Sequence, residues 1–373
     1  MRIDFVSSRW APFVGGAEIV AGELARELSA ENEVVVHTTE RGFGQDQDSR
    51  LETGEARIGN VTVLRYRPYG PGRLFFPRLA GADVVHMHGF YRPLVVEVAR
   101  RAPRGRLVIQ PHGALMPNLG GSDGVRSEVR KGIDRWVLPR FLPRVARFVT
   151  ISPSEAEGLR RLGVPGAACV SLPGPIRQSL VDRAKSDSPA VDRVPGRIAL
   201  VARLVPLKSV EHAIEAMAGL PDFELHIAGE AEDAEYASEL AALAARLDIK
   251  GRVRFLGRLS PDELERLLRS SVALVLPSRA DGWGLVVAEA LLFGAVPVVS
   301  SGVGAVLDDA IGLPLRYEWG DVAALRTHLE DVGARYADFY RTRVEAGASW
   351  VEAKMSPKAI AAALLELYDG LSG

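Results

Sequence analysis

Two cations stand close together after a predicted strand in the second half of the sequence. Arg203 and Lys208 follow the apolar run Ile198–Ala202 and precede a predicted helix. An arginine offers a planar fork of donors and a lysine a compact charge, so the two side chains can converge on a diphosphate. A pair of surface charges has the same pattern, and these residues alone leave both interpretations open.

A second polar segment, 277–289, also follows a predicted strand, and it leads into a helix that begins near Gly284. The free N–H groups and the positive dipole end of a helix N-terminus favour a phosphate. Glu289 lies about one turn inside this helix. Its neighbours are apolar, and a carboxylate in such surroundings needs a partner. A functional role for Glu289 is therefore favoured over a place on a solvated face, and a carboxylate at this position could accept hydrogen bonds from ribose hydroxyls.

A glycine pair, Gly15 and Gly16, stands between the first predicted strand and the first predicted helix. Two glycines let the backbone approach a ligand closely, and the helix behind them favours an anion. Such a pair is also common in an ordinary turn. The spacing is not the G-x-G-x-x-G fingerprint of dinucleotide-binding folds, which argues against a nicotinamide enzyme.

Histidines follow two further strands of the first half. His112 stands in Gln110-Pro111-His112-Gly113, and the preceding strand carries His86-Met87-His88-Gly89. A histidine at the carboxyl end of a strand can serve a ligand as a hydrogen-bond donor or as an acid or base. The H-x-H spacing is also compatible with a metal. Because no third ligand of suitable spacing follows, we predict no metal site.

The elements that must position these residues alternate between short β-rich runs and helical patterns, which implies parallel, doubly wound sheets. The runs predicted as strands in the first half are Ile3–Ser7, Glu33–Thr38, Val61–Tyr66, Asp83–His86, Leu107–Gln110 and Phe148–Ile151, with a helix at Gly16–Ser29. Those in the second half are Ile198–Ala202, Glu224–Ala228, Val253–Leu256, Ala273–Leu276 and Ala295–Ser300. The helices predicted between them are Ser209–Ala218, Ala234–Leu247, Pro261–Arg269 and Gly284–Phe293.

The segment 179–196 is polar, contains proline and lacks the hydrophobic period of a helix or of a strand, as is typical of a linker. We therefore predict an α/β chain with two Rossmann-like domains that face each other across a cleft, one over 1–178 and one over 197–356. A length of 373 residues agrees with two domains of ordinary size. Ligands in such sheets bind beyond the carboxyl ends of the strands.

The composition favours a cytoplasmic protein. Cys169 is the only cysteine, so no intrachain disulfide is possible, and a reducing compartment fits best. The start of the sequence does not have the pattern of a signal peptide. The longest apolar run, 285–299, contains Glu289 and Pro297 and is too short to span a bilayer. Any membrane contact is therefore expected to be peripheral, at the cytoplasmic face.

Charge is distributed unequally between the halves. Residues 1–178 carry 25 Lys and Arg against 18 Asp and Glu, a net +7, and the remainder carries 21 against 29, a net −8. Segment 126–147 has seven basic and two acidic residues. Its apolar members are Trp136, Val137, Leu138, Phe141 and Leu142. Peripheral contact with an anionic membrane and packing of these apolar groups in the core both remain open. No nucleic-acid partner is expected.

Together these segments resemble the family 4 retaining glycosyltransferases, which have the two-Rossmann GT-B architecture. The resemblance runs in order through nearly the whole chain. It rests on Gly15-Gly16-Ala17-Glu18, Val84-Val85-His86-Met87-His88-Gly89, Pro111-His112-Gly113, Ile151-Ser152 with Ser154-Glu155, Arg203 with Lys208, Phe255-Leu256-Gly257, Asp281–Glu289, and Gly294-Ala295-Val296-Pro297-Val298-Val299.

The resemblance implies a role for each of these segments. Arg203 and Lys208 neutralise the leaving diphosphate, assisted by the helix N-terminus at Gly284 and Leu285, and Glu289 holds the ribose. The base pocket is lined by 255–259, with Arg258 and Leu259. His112 and Asp281, followed by Gly282, position the donor sugar, and Gly15 and Gly16 approach the diphosphate and the acceptor. The final helix, 357–373, crosses back onto the first domain.

One position departs from the family pattern. The family has a glutamate at each end of the segment that spans Asp281 and Glu289, and here the first is an aspartate. Its carboxylate reaches about one methylene less far, which bears on the identity of the sugar. The Pro-Asn-Gly turn that usually precedes the linker reads Pro173-Gly174-Pro175 in this chain.

The expected activity is transfer of a sugar from a UDP- or GDP-linked donor to a glycan or a lipid-linked acceptor, with retention of configuration and without a metal. Cell-surface polysaccharide or glycolipid assembly is the expected setting. In a front-face substitution the departing phosphate takes the acceptor's proton. A double displacement needs a carboxylate nucleophile, for which Asp281 is the candidate. The alternatives are a sugar-nucleotide epimerase of the same architecture and a catalytically decayed sugar-nucleotide-binding protein.

Overall fold

Two parallel β-sheets, whose strands are connected by helical crossovers, organise the chain. A computed structural model describes residues 1–12, 15–40, 51–69, 74–115, 125–185, 192–282, 284–304 and 314–371, without the side chains of 125–127. The chain divides into two units, Met1–Arg177 with Ser356–Gly373, and Gln178–Met355. Each unit contains one of the sheets, so the fold consists of two parallel-sheet α/β domains.

The sheet of the first unit has its strands in the order β3-β4-β2-β1-β5-β6-β7-β8. Their bounds are β1 Arg2–Ser7, β2 Glu33–Thr39, β3 Gly54–Ile58, β4 Val61–Tyr66, β5 Val84–His88, β6 Leu107–Gln110, β7 Val145–Thr150 and β8 Cys169–Ser171. All neighbours are parallel except β3 with β4. The order reverses direction between β1 and β5, and ligands of doubly wound sheets bind at such a point.

The sheet of the second unit is parallel throughout, in the order β11-β10-β9-β12-β13-β14. Its strands are β9 Arg197–Val201, β10 Glu224–Ala228, β11 Val253–Gly257, β12 Ala273–Leu276, β13 Val296–Ser300 and β14 Leu315–Tyr317. Strand β12 is buried along its whole length, as expected for an apolar run inside a sheet that is covered on both faces. The order reverses between β9 and β12.

Helices complete both units. Those of the first unit are α1 Gly16–Leu28, α2 Arg92–Arg101, α3 Val125–Gly132 and α4 Pro153–Arg161. Those of the second are α5 Gln178–Lys185, α6 Val210–Met217, α7 Ala234–Arg246, α8 Pro261–Ser270, α9 Leu285–Phe293, α10 Val322–Ala334, α11 Tyr336–Phe339 and α12 Glu345–Met355. The chain then returns to the first unit as α13, Pro357–Asp369, which packs on α1.

The sequence of helix α13 explains why it packs on the first unit. Ile360, Leu364 and Tyr368 recur every four residues and are all buried. Ser356 caps the helix by accepting the backbone N–H of Ala359 at 3.3 Å, and Pro357 occupies the first turn, where a missing N–H costs nothing. One apolar stripe therefore attaches the last helix to the first unit.

Each strand and helix predicted from the sequence is present, with ends that agree within two residues except at the start of β7 and at the end of the last helix, which was predicted to extend to 373 and ends at Asp369. The linker prediction over 179–196 is wrong in its first part, because helix α5 occupies it and buries Leu180 and Val181. Two adjacent apolar residues are too few to reveal a helical period. Residues 186–191 lie outside the described residues. Strand β3 was not predicted, since its exposed edge position removes the alternation of apolar and polar residues.

Candidate functional site

The loops after β9 and β12 meet where the second sheet reverses direction. The backbone N–H of Arg279, after β12, donates to the carbonyl of Leu207, after β9, at 2.9 Å. Gly229, after β10, lies against the same loop, and a Cβ at this position would stand 1.7 Å from the carbonyl oxygen of Ala202. Only glycine permits this approach. The sheet thus brings three strand-end loops together at its carboxyl edge.

Lys208 and Asp281 form an ion pair between two of these loops. The Lys208 Nζ donates to Asp281 Oδ2 at 2.5 Å, and both side chains are largely buried. The other carboxylate oxygen accepts the backbone N–H of Gly284 at 3.0 Å. Asp281 is itself fixed by a parallel bridge to Val303, with backbone hydrogen bonds to Gly302 and Gly304 at 3.0 and 2.8 Å. The predicted cation and the predicted sugar-positioning residue are therefore direct partners.

Helix α9 begins at this ion pair. Gly284 precedes it with φ +59°, in the left-handed region that glycine adopts without strain. Leu285 is the first helical residue, and the N–H of Gly284, just before the first turn, donates to Asp281 at this end of the helix. Glu289 lies one turn further along and is buried, with apolar residues on either side of it in the sequence. Gly282 adjoins this arrangement, and Trp283 lies outside the described residues.

The remaining predicted cations have carboxylate partners that sequence analysis missed. Arg203 Nη1 donates to Glu232 Oε2 at 2.7 Å, and its side chain is 58% exposed. Arg258 Nη1 lies 3.9 Å from Glu230 Oε2. Both glutamates belong to the loop after β10, and nothing in their local sequence distinguishes them from solvated charges. Arg203 and Lys208 thus pair with different carboxylates.

The predicted base-binding segment, 255–259, begins in the edge strand β11 and continues two residues beyond its end. Phe255 and Leu256 are exposed, and Leu259 is half-buried. Leu256 and Leu259 line a shallow surface cavity of about 330 Å³ together with His226 and Arg266. Exposed apolar side chains beside a cavity can stack on a flat ligand, and the base-binding role of this segment stays a prediction.

Trp319 follows β14 at the carboxyl edge of the second sheet. Sequence analysis did not identify it as a candidate site residue. Its indole N–H donates to Ser209 Oγ at 3.0 Å, and its backbone N–H donates to Ser301 Oγ at 3.0 Å. The guanidinium of Arg279 lies 5.4 Å from the ring centroid. Trp319 is 41% exposed although it is anchored on two loops. The sequence signal that could have identified this residue is a tryptophan in a short loop before a helix.

Three histidines lie together in the first unit. His88 Nδ1 is 2.9 Å from His112 Nε2, and the rings of His86 and His88 are 4.3 Å apart at their centroids. Burial lowers the pKa of His86 to about 3 and that of His112 to about 4, and it lowers the pKa of His88 well below its usual value. All three imidazoles are therefore neutral near pH 7.

The turn that carries His112 is held by a buried glutamate. His112 has φ 57°, an uncommon conformation for a side chain of this size. Glu155 on α4 accepts the backbone N–H of Gly113, and its other oxygen accepts the N–H of Ile151 at 3.1 Å. Burial raises the pKa of Glu155 to about 7 in spite of these hydrogen bonds. Glu155 belonged to a predicted motif but had no predicted role.

The glycine pair lies at the start of α1. Gly15 is the N-cap residue and Gly16 the first helical residue. Among the residues that the structure describes, nothing lies within 4 Å of a Cβ placed on Gly16. Residues 13 and 14 of the preceding loop lie outside the described part of the chain.

Segment 126–147 divides into buried and exposed parts. Leu138 and Leu142 belong to the core of the first unit, as the packing interpretation predicted. Trp136 is 62% exposed, and Val129 on the preceding helix α3 is also exposed. The Arg135 guanidinium lies 5.3 Å from the Trp136 ring centroid. A smaller basic, apolar surface than the one predicted thus remains, and we call Val129, Lys131, Arg135 and Trp136 the Trp136 patch.

Two further observations concern the described residues as a whole. Among them, no group of three or more His, Cys, Asp and Glu side chains is arranged to hold a metal ion. No helix in the described ranges combines the length and the apolar character that crossing a membrane requires.

Comparison with known proteins identifies the fold of this chain. Residues 15–175 match the glycosyl transferase 4-like domain, and residues 183–309 match the family glycosyl transferases group 1. The solved structure of sucrose-phosphate synthase from Thermosynechococcus elongatus superposes with a TM-score of 0.77 at 21% identity, covering 99% of this chain and 98% of that one. HepE from Anabaena, in complex with UDP and glucose, gives 0.70 at 18% identity, covering 99% and 100%. The fold is therefore that of a GT-B glycosyltransferase.

The chain belongs to the family 4 glycosyltransferases, as the order of its motifs predicted. It is 36% identical over 130 residues to D-inositol 3-phosphate glycosyltransferase of Mycobacterium sp. (strain KMS), a match that covers 34% of this chain and 28% of the relative. The same enzyme of Mycobacterium tuberculosis (strain F11) is 36% identical over 145 residues, or 38% and 28%. The match thus spans less than a third of the length of these relatives.

Proposed function

We propose that this chain transfers a sugar from a nucleotide-sugar donor to an acceptor hydroxyl, with retention of anomeric configuration and without a divalent metal. The ion pair between Lys208 and Asp281 at the N-terminus of α9 carries this proposal. A lysine, a helix dipole and the backbone N–H of Gly284 meet there, at the reversal point of a parallel sheet. This combination provides the positive potential that a diphosphate needs.

The proposed donor position follows the second sheet. The diphosphate binds at Lys208 and the first turn of α9, and Arg203 moves from Glu232 to the phosphates when they enter. Its high exposure permits this exchange, because a surface ion pair is worth little. Glu289 receives the ribose hydroxyls, and the exposed apolar residues of β11 receive the base. The structures of HepE with UDP and glucose support a uridine nucleotide as the first donor to try.

Asp281 has two functions in this proposal. Its carboxylate, bonded to Lys208 and to the Gly284 N–H, occupies the position that we propose for a phosphate. When the diphosphate takes over Lys208, the carboxylate is released toward the hydroxyls of the sugar. His112 donates or accepts a hydrogen bond at the same sugar, as the family resemblance implies.

The chemistry needs no separate base. The bond from the anomeric carbon to the diphosphate oxygen breaks, and a bond to the acceptor oxygen forms on the same face. The acceptor's proton passes to the departing phosphate oxygen. Lys208 and Arg203 stabilise the charge that develops there, in the way that preorganised donors stabilise an oxyanion.

The acceptor is proposed to be a glycan or a lipid-linked molecule, in cell-surface polysaccharide or glycolipid assembly. The Trp136 patch supports a peripheral location, because an exposed tryptophan among basic residues suits an anionic membrane surface. A second acceptor class follows from the relatives named for D-inositol 3-phosphate, with 36% identity. A phosphorylated polyol is therefore proposed as the alternative acceptor.

The test uses the full chain with radiolabelled UDP- and GDP-sugars, a chelator and two acceptor pools, namely a bacterial lipid extract and inositol phosphates. Transfer of label to one pool, with an unchanged anomeric configuration, is the expected result. A free epimerised sugar nucleotide would identify an epimerase instead. Binding of the donor without turnover would identify a decayed binding protein, and turnover only after addition of magnesium or manganese would overturn the metal-free mechanism.

A further inference from the structure

Trp319 joins two loops of the second unit by hydrogen bonds. Its indole N–H donates to Ser209 Oγ at 3.0 Å, and Ser209 directly follows Lys208 in the chain. Its backbone N–H donates to Ser301 Oγ at 3.0 Å, in the loop after β13. Trp319 thus ties the loop of the ion-pair lysine to a neighbouring loop through bonds that do not involve the ion pair itself.

The loop after β13 holds Asp281, the other member of the ion pair. Gly302, next to Ser301, accepts the backbone N–H of Asp281 at 3.0 Å. A Cβ on Gly302 would collide with carbonyl oxygens of the loop that carries Asp281, so the two loops lie directly against each other. The bonds of Trp319 therefore close a ring of contacts in which Lys208 and Asp281 are themselves joined.

The backbone of Ser209 has a conformation that needs support. Its φ of 47° lies in the left-handed region, which residues with a side chain rarely adopt. Such a conformation persists only where the surrounding contacts hold it. Trp319 holds the buried Ser209 hydroxyl, and the Tyr236 hydroxyl accepts the N–H of the next residue, Val210, at 2.8 Å. The turn that begins at Lys208 is thus fixed by two aromatic side chains.

Arg279 adds a contact on the other side of Lys208 in the sequence. Its backbone N–H donates to the carbonyl of Leu207 at 2.9 Å, and its guanidinium lies 5.4 Å from the centroid of the Trp319 ring. A cation at this distance is attracted to the face of an aromatic ring. Leu207 and Ser209, the two neighbours of Lys208, are therefore held by Arg279 and Trp319, which also contact each other.

We propose that Trp319 is a positioning residue, which holds the turn after Lys208 through the Ser209 hydroxyl and so fixes the ammonium group of Lys208 at the N-terminus of α9. A lysine side chain is long and flexible, so the placement of its charge depends on the backbone that carries it. The effect on turnover rests on the proposed function, in which Lys208 stabilises the leaving diphosphate. The effect on the turn concerns the protein alone.

Trp319→Phe tests the turn without any ligand. The substitution keeps an aromatic ring and the backbone N–H but removes the indole donor, and it is made at a side chain that is 41% exposed. The amide of Lys208, which donates to Val205 O at 2.9 Å, should exchange roughly fivefold faster, as expected for the loss of one ordinary hydrogen bond. The amide of Ala295, which donates to Ala290 O at 2.9 Å, should exchange at an unchanged rate. Hydrogen-exchange mass spectrometry of the full chain measures both.

A double-mutant cycle with Lys208 connects the turn to turnover. Trp319→Phe should lower kcat about tenfold, because a misplaced charge stabilises the leaving group less well. In the Lys208→Ala background the same substitution should change kcat by less than about twofold, since no ammonium group remains to be positioned. Ser209→Ala removes the same hydrogen bond at its acceptor and should behave like Trp319→Phe. Tyr336→Phe is the matched control, because it removes a tyrosine hydrogen bond of 2.7 Å to Gly294 in the same unit.

The outcomes separate the two claims. An unchanged exchange rate at Lys208 in a folded Trp319→Phe protein overturns the positioning role, as does an undiminished loss of kcat in the Lys208→Ala background. An equal loss in Tyr336→Phe would reveal general destabilisation and would overturn the role as well. Should Trp319→Phe fold poorly, Ser209→Ala decides both measurements. Absence of transfer by wild type would count against the proposed function, and the exchange rates would still decide whether Trp319 holds the turn.

Discussion

Lys208 and Asp281 are joined by a hydrogen bond of 2.5 Å, and the second carboxylate oxygen of Asp281 accepts the N–H of Gly284 at 3.0 Å. The carboxylate thus holds the lysine and the first N–H before α9 at the same time. A diphosphate that bound to these groups would have to displace it. Asp281 and a bound diphosphate would therefore compete for the same donors. Removing the charge of Asp281 is for this reason expected to strengthen, not weaken, the binding of the diphosphate.

Asp281→Asn should therefore bind the bare nucleoside diphosphate more tightly, by roughly threefold or more, because one competing charge is lost. The additional affinity gained from the attached sugar should fall, since the amide is a weaker acceptor for sugar hydroxyls. Calorimetric titration with UDP and with a UDP-sugar measures both quantities. Parallel losses of affinity for the two ligands would show instead that Asp281 is only a support for Lys208.

Lys208→Ala and Arg203→Ala should each lower turnover on the order of a hundredfold or more, because each removes a charge that stabilises the leaving diphosphate. Arg341→Ala is the matched control, since it breaks an exposed ion pair with Asp338 in the same unit. Steady-state kinetics with a saturating donor provides the measurement. Wild-type turnover in Arg203→Ala would mean that its pair with Glu232 persists when the donor binds.

Glu289→Gln tests the ribose contact. The substitution preserves size but weakens acceptance of hydroxyl hydrogen bonds, so the donor Kd should rise about tenfold. The preference for UDP over 2′-deoxy-UDP should shrink in the variant, because the lost contact involves the ribose. Glu289 is structural if both nucleotides weaken equally or if only the melting temperature changes.

Trp136→Ala tests the membrane contact. We expect binding to vesicles that contain anionic phospholipid to weaken roughly fivefold or more, and binding of wild type to decrease as salt is added. Co-sedimentation measures the bound fraction. Tyr340→Ala, at an exposed aromatic residue of the second unit, is the control. Equal binding by wild type to neutral and anionic vesicles would contradict an electrostatic contribution from the Trp136 patch.

The free energy of unfolding should depend on pH through the buried groups of the first unit. His86, His88 and His112 have lowered pKa values, so the unfolded chain takes up their protons first as pH falls below about 6.5. Stability from these groups is present above that pH and is lost toward pH 3–4. Glu155 acts oppositely, because its raised pKa makes stability fall as pH rises from about 4.5 to about 7.

Between pH 5 and 6.5 the three histidines outweigh the single glutamate, so stability should rise with pH. Glu155→Gln should make this rise steeper, since it removes the opposing contribution. Urea unfolding at pH 5.0 and 6.5 in both proteins gives the comparison. A variant with the same or a shallower pH dependence than wild type would show that Glu155 is ionised throughout this range.

Much of the fold could be predicted because its signal is local. The run Ala273–Leu276 is apolar without alternation, which indicates a strand inside a parallel sheet, and it is fully buried in the structure. Gly284 and the apolar residues after it predicted the start of α9 to within one residue. Strand β8, with three residues, and the exposed β3 carry no period, so the same reasoning could not find them.

The sequence by itself was enough to predict which strand-end loops would carry the chemistry, since charge and glycine at those positions are local features that ligand binding requires. Tertiary structure alone decided the partners. Lys208 and Asp281 are 73 positions apart, and His86 and Tyr368 are 282 apart. Such pairs depend on strand order, on left-handed turns such as that of His112, and on the return of α13. A hydrogen bond forms over a few tenths of an ångström, a precision that only the packed backbone provides.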